Sequence, residues 1–293
     1  MNASPSTSAS GGGAPAAFTL TELLVIAVTG FILLGLAMPA LANGRTRGAS
    51  AVCVANARQM ARAWQLYAAD QHEQLVNNYG VDETLAEIYR ATFRNWVNNV
   101  MSWTAANDVR SISVTNINWV NNGKLSPYLS DPIAPFRCPE DRYVSPQQRA
   151  KGWTARTRSI SMNAFLGPFS PLPSDPSYRG ENPFYSTYRQ FIKTGDLSQP
   201  ARTIVTLDEH ADSINDGLLL NNPDPSSTQW SDLPASYHNG GGSLSFADAH
   251  VEIHRWQSSW TQPAVRYNYT TVTLDEASRV DYRWLMERMS GSR

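Results

Sequence analysis

One apolar run constrains this chain more than any other feature. Residues 18–45 read FTLTELLVIAVTGFILLGLAMPALANGR, and no charged side chain occurs from Leu23 to Gly44. At ~1.5 Å per residue, a helix of about 20 such residues matches the roughly 30 Å hydrocarbon core of a bilayer. The run is therefore expected to be a transmembrane helix over about residues 23–43. One acid, Glu22, stands at its entrance. A carboxylate at the edge of an apolar span is costly without a partner, which marks Glu22 as functional.

The remainder has the opposite character. Mean hydropathy over the whole chain is −0.36 despite that run, so the rest of the chain is polar and faces water. About 250 residues remain after position 45, enough for one large domain or two small ones. A net charge of −1 gives no electrostatic footprint for nucleic acid and no acidic tail. Eighteen Gly and eighteen Pro argue for a loop-rich domain, with nine Trp and twelve Tyr as bulky anchors. The two cysteines, Cys53 and Cys138, are expected to form a disulfide in an exported or membrane-anchored chain. The alternative is two separate, reduced, buried thiols.

Residues 1–17, MNASPSTSASGGGAPAA, are small and polar and can bury nothing. Three readings of the N-terminal region compete. A secretory signal cut after Ala42 fits the Ala40-Leu41-Ala42 rule, but residues 1–21 carry no Lys or Arg. A plain signal anchor explains the length of the apolar run but not Glu22. The third reading rests on Ala17 followed by Phe18-Thr19-Leu20-Thr21-Glu22-Leu23-Leu24. This block resembles the prepilin motif of type IV pilins and type II secretion pseudopilins. The resemblance implies a peptidase cut between Ala17 and Phe18, N-methylation of Phe18, and an assembly role for Glu22. It also places Pro39 where that family commonly carries a helix-loosening proline. Physically, the new Phe18 ammonium would be an isolated charge in an apolar bundle, and Glu22 of a neighbouring subunit could neutralise it. Pro39 would loosen the helix by removing a backbone donor.

Beyond the apolar run, Cys53, Ala57, Met60, Trp64 and Tyr67 recur at spacings of three and four, which predicts one helix face running to about Asp70. Arg58, Gln59, Arg62 and Gln65 fall off that face. A short helix is expected near Glu83–Arg90, and an irregular loop from Pro168 to Pro183. The words Asn95–Asn99 and Asn118–Asn122 both read NWVNN, too few copies for a repeat array. Residues 202–207 read as a buried strand. Residues 243–246 and 250–256 read as a hairpin about Asp248-Ala249, with Leu244 and Phe246 meeting Ile253 and Val251. Residues 275–289 read as a helix with Val280, Trp284, Leu285 and Arg288 at helical spacing.

A second resemblance spans nearly the whole chain. His238, nine residues, then Asp248-Ala249-His250 resembles the C-terminal "processing-associated" element of large bacterial pseudopilin-like proteins, with Ala249 where that element has Gly. Cys53-x-x-Asn56, Phe136-x-Cys138-Pro139 and Ser161-Met162-Asn163 look like further words of that group. His238, Asp248 and His250 are expected to fix loop and turn geometry. His238, Asp248, His250 and His254 invite a zinc or hydrolase reading, but if residues 243–247 are extended, His238 and Asp248 sit at opposite ends of a strand, which argues against it. No H-E-x-x-H, C-x-x-C or G-x-S-x-G is present, so catalysis is not expected. Asp208, Glu209, Asp212 and Asp216 crowd one stretch, and hard oxygen donors in a loop suit Ca²⁺. The plainer alternative is a solvated acidic loop of turns and caps.

The expected fold is α+β and pilin-like: a leader (1–17), a long transmembrane-plus-amphipathic helix (18–70), and a loop-rich domain on an antiparallel sheet (71–293). The resemblance implies a non-enzymatic subunit, a minor one, of a type II secretion pseudopilus or type IV pilus-like filament. It would be held in the bacterial inner membrane with its domain in the periplasm. Its implied partners are a prepilin peptidase/methyltransferase, other pseudopilins, an inner-membrane assembly platform and the membrane. The competing class is a secreted or anchored binding or metallohydrolase domain that uses the segment only for export.

Overall fold

The structure, a computed structural model, describes residues 19–291, except for the side chains of 36–47. The leader, Ala17, Phe18 and the side chain of Pro39 therefore lie outside the described residues. The chain divides at Thr46/Arg47 into two compact units.

Helix α1 covers Leu20–Asp70. It starts with a capping box: Glu22 N–H donates to Thr19 Oγ1 (3.3 Å), and Thr19 N–H donates to Glu22 Oε2 (2.8 Å). Two orphan donors of the first turn are satisfied this way. Within the first unit, Leu23, Leu24, Val25 and Ile26 are each more than half exposed. Yet among the described residues no helix is long and apolar enough to cross a membrane. This overturns the transmembrane part of the expected fold. The apolar side chains that are described run from Leu23 to Gly35, about 20 Å of helix against roughly 30 Å of hydrocarbon.

The second unit begins at Arg47. Here α1 is amphipathic. Cys53, Met60 and Trp64 are buried, Ala57 and Tyr67 half-buried, and Arg58 and Arg62 exposed. Short helices come next: α2 (Val81–Arg90), α3 (Val109–Ser113), α4 (Ile117–Asn121) and α5 (Pro146–Ala150). The strands are β1 (Ile160–Asn163), β2 (Ile204–Asp208), β3 (Leu218–Leu219), β4 (Gln229–Trp230), β5 (Gly241–Phe246), β6 (Val251–Arg255) and β7 (Val272–Thr273). Helix α6 (Glu276–Met289) closes the chain, capped by Asp275, whose side chain accepts from Ser278 N–H.

Five strands form one sheet in the order β3-β1-β2-β5-β6. It is mixed rather than antiparallel as expected, because β1 and β3 run parallel. The residues from β2 to β3 include the acidic stretch and bring the chain back to the far edge of β1. Strands β4 and β7 pair separately. One core cluster joins Met60, Trp64 and Ala68 of α1 to Ile160, Met162, Val205 and Ala247. Another joins Tyr282, Leu285, Met286 and Met289 of α6 to Ile204, Leu207, Leu244 and Phe246. The central strands are thus buried on both faces, which explains why β1, with its Ser and Asn, shows no clean alternation. In α6 the buried face is Tyr282, Leu285, Met286 and Met289, and Val280 is exposed, so the expected face is rotated.

The hairpin register also differs from expectation by one residue. Ser243 lies opposite Ile253, Leu244 opposite Glu252 and Ser245 opposite Val251. The cause is the turn. Ala249 N–H donates to Phe246 O (2.9 Å) and Phe246 N–H to His250 O (3.0 Å), leaving a three-residue loop, Ala247-Asp248-Ala249. Ala249 takes the left-handed conformation, φ 69°, which ends such loops. One extra loop residue moves Val251 and Ile253 to the other face. The two NWVNN words adopt different structures: the first is buried loop around Trp96, and the second lies on α4 and its C-terminal end.

Candidate functional site

The second unit brings four side chains from four distant segments to one point. Cys53 points inward from the buried stripe of α1. Cys138 lies just after a 3-10 turn at Ala134–Phe136, and its N–H donates to Ser159 Oγ (2.8 Å). Asp208 is the last residue of β2, and its Oδ2 accepts from Ser243 N–H (2.9 Å). His238 precedes β5, fixed by a tight turn in which its N–H donates to Gly241 O (2.9 Å) and Gly241 N–H donates back (3.2 Å). Asn239 and Gly240 between them both have positive φ, 52° and 82°, as a primed hairpin turn requires.

One donor atom from each of Cys53, Cys138, Asp208 and His238 lies within 4.8 Å of every other. His238 Nε2 is 3.4 Å from Cys138 Sγ and 3.5 Å from Asp208 Oδ2. All four residues are at most 4% exposed. A void of about 10 Å³ touches Cys53, Cys138, Asp208, Thr206 and Ser243, which is room for one water-sized occupant. Among the described residues the buried Ser243 Oγ has no hydrogen-bond partner.

Both cysteines are free thiols, which corrects the expected disulfide. The structure brings them together, but their sulfurs share their surroundings with an imidazole and a carboxylate instead of bonding. The Cys53 thiol, hydrogen-bonded to Cys138, lowers the Cys138 pKa, and His238 adds to this. The same contact pushes the Cys53 thiol up, with burial adding. Burial opposes charge on His238, but Asp208 and Cys138 outweigh it and hold its pKa up at about 10.

A thiol, an imidazole and a carboxylate invite comparison with a nucleophilic triad, and the geometry argues against one. In a triad the nucleophile and the acid engage different ring nitrogens. Here Cys138 and Asp208 both face Nε2, while Nδ1 lies 3.1 Å from Ser50 Oγ. Convergence on one nitrogen is the pattern of donors around a shared centre. Both sulfurs are also buried.

The other expected site residues stay apart. Asp248 Oδ1 accepts from His250 N–H (3.1 Å), and the His250 ring stacks on Phe246 at 4.1 Å. Both sit at the turn beyond the far end of β5 from His238. Among the described residues the side chains of the acidic stretch do not converge on one point. Asp208 joins the cysteines. Glu209 accepts from Ser161 Oγ and from Ser213 Oγ (2.9 Å), and Asp212 accepts from Arg266 N–H (2.6 Å). Asp216 accepts from Leu218 N–H (2.9 Å). Asp208 and Glu209 are adjacent along extended chain, so their side chains leave on opposite sides.

A cleft of about 490 Å³ beside Trp103, Tyr267 and Asp212 is a weaker candidate. Arg156 and Arg149 already cover the Trp103 and Tyr267 rings at 4.6 and 5.7 Å. No family model matches this chain, nor does any curated protein or solved structure.

Proposed function

We propose that this chain is a non-enzymatic subunit of a pilin-like filament, a minor one, built as pseudopilins are. The observation that carries this is the surface of α1 in the first unit. Successive helix residues step by about 100°, so Leu23, Leu24, Val25 and Ile26 face four different sides. All four are more than half exposed. A helix that is apolar all round needs cover on every side, and the matching segments of neighbouring subunits supply it. The prepilin-like block at Phe18–Glu22 supports the same reading. Prepilin peptidase, other pseudopilins and an assembly platform are the proposed partners.

Glu22 is central to assembly in this reading. Its carboxylate already reaches back to Thr19 at the start of the helix. Processing at Ala17/Phe18 would put an ammonium one residue further on, within the reach of Glu22 on a neighbouring subunit.

N-terminal sequencing of the mature protein tests this. A methylated Phe18 is expected, whereas Asn43 or Met1 would replace this reading with signal-peptide export or a plain anchor. Glu22→Ala should stop incorporation into filaments while leaving the second unit folded. Normal incorporation of that variant would sink the role of Glu22. Filaments in which this chain is the most abundant subunit would sink its place as a minor one.

A further inference from the structure

We propose that Cys53, Cys138, Asp208 and His238 form a structural zinc centre that fastens the Arg47–Asp70 stretch of α1 to the central sheet.

The donor chemistry comes first. Two thiolates, an imidazole nitrogen and a carboxylate oxygen are all zinc ligands, and two sulfurs disfavour calcium and magnesium. The spacing comes second. Zinc bonds of ~2.0–2.3 Å at tetrahedral angles separate neighbouring donors by roughly 3.3–3.8 Å. The two separations from His238 Nε2, 3.4 Å to sulfur and 3.5 Å to oxygen, fall in that interval. Third, a void of about 10 Å³ adjoins the cluster, lined by Cys53, Cys138 and Asp208 but not by His238.

The surroundings are also those of a metal ligand set. Nε2 ligates when the ring proton is on Nδ1, and Nδ1 has an acceptor in Ser50 Oγ at 3.1 Å. Asp208 is oriented by Ser243 N–H. Ser243 Oγ, buried and without a partner among the described residues, is placed beside the void, where a metal-bound thiolate would accept its hydrogen bond. Asp208 and the two cysteines share a site that is at most 4% exposed. As a divalent ion binds there, the thiol protons leave to solvent.

Four protein donors leave no position for water or substrate, which separates this centre from a catalytic one. Its role is mechanical. The ligands come from α1, the loop after Phe136, the end of β2 and the turn before β5, so one ion would tie four segments together.

The test uses the full chain purified under reductant without chelator. Elemental analysis should find about one zinc per chain. Cobalt(II) in place of zinc should give the visible bands of a tetrahedral ion and a thiolate charge-transfer band. Cys53→Ser should weaken the charge-transfer band, His238→Gln should shift the visible bands, and chelation should lower the melting temperature. Because Cys53→Ser alone could impair folding, Asp208→Asn serves as a second variant. It keeps an acceptor for Ser243 N–H and should reduce metal retention while circular dichroism stays native. A folded wild-type chain that takes up neither zinc nor cobalt overturns the proposal. So does a cobalt spectrum unchanged across the variants, or a Cys53–Cys138 disulfide in the freshly isolated protein.

Discussion

Ser50 Oγ lies 3.1 Å from His238 Nδ1, joining the α1 segment of the second unit to the turn that launches β5. With the ring proton on Nδ1, Ser50 accepts it and turns Nε2 toward the cysteines. Groups that orient a metal-bound histidine in this way are typically worth about 10–100-fold in metal affinity. Ser50→Ala is expected to weaken zinc binding by about that factor, read by competition with a chelating dye, and Ser50→Thr should retain it. Equal affinity in Ser50→Ala would show that the ring is held by packing alone.

Ala249 sits at φ 69° at the end of the loop between β5 and β6. A left-handed conformation costs an L-residue about 1–2 kcal/mol, and glycine escapes most of that. Glycine also adds freedom to the unfolded chain, which offsets part of the gain. Ala249→Gly should therefore stabilise the protein by about 0.5–1 kcal/mol. Urea unfolding should show a higher midpoint at an unchanged slope.

That loop also shows where the sequence was legible. Apolar stripes and alternation are local signals, so the α1 face, α2, β2, the hairpin and α6 could be read from spacing. The hairpin register could not, because Asp248-Ala249 resembles a two-residue turn, and only the conformation of Ala249 shows the loop to be one residue longer. The candidate site was harder still. Cys53 and Cys138 stood out as a pair, and His238 as a motif residue, but nothing local joins them to Asp208. Density along the chain groups Asp208 with Glu209, whereas extended backbone sends those two apart. The Asn239-Gly240 dipeptide carries a signal of its own, since such pairs mark tight turns and this one positions His238.

Glu87 is buried on α2, and it carries Arg94. Its carboxylate accepts from Arg94 N–H (2.7 Å), Arg94 Nη2 (2.7 Å), Arg94 Nε (3.0 Å) and Thr92 Oγ1 (2.8 Å). Burial would raise its pKa, but the bonds from Arg94 and Thr92 outweigh this and leave it lowered from 4.5. A lowered folded value means that its stabilisation is fully present above pH 4.5 and is lost as pH falls through the folded value. Glu87→Ala removes the acceptor of Arg94 N–H and of the half-exposed Arg94 guanidinium, and should cost about 1–3 kcal/mol near neutral pH. Glu87→Gln should flatten the acid side of the stability profile, measured by denaturant midpoints across that range.

Asp216 behaves in the opposite sense. It is 7% exposed, and burial pushes its carboxyl up to about 7, against the pull of Leu218 N–H and Arg158. In the unfolded chain it would ionise near 3.8. Between these values the folded state holds a proton that the unfolded state has lost, so stability falls as pH rises. The penalty is complete above pH 7 and absent below 3.8. Asp216→Asn keeps an acceptor for Leu218 N–H at Oδ1 and carries no charge. At about 1.4 kcal/mol per pKa unit, it should stabilise the protein by up to about 4 kcal/mol at alkaline pH and by little in acid. Unfolding midpoints of the two chains should therefore converge as pH falls and separate as it rises. A constant difference across the range would show that the substitution acts through packing and not through ionisation.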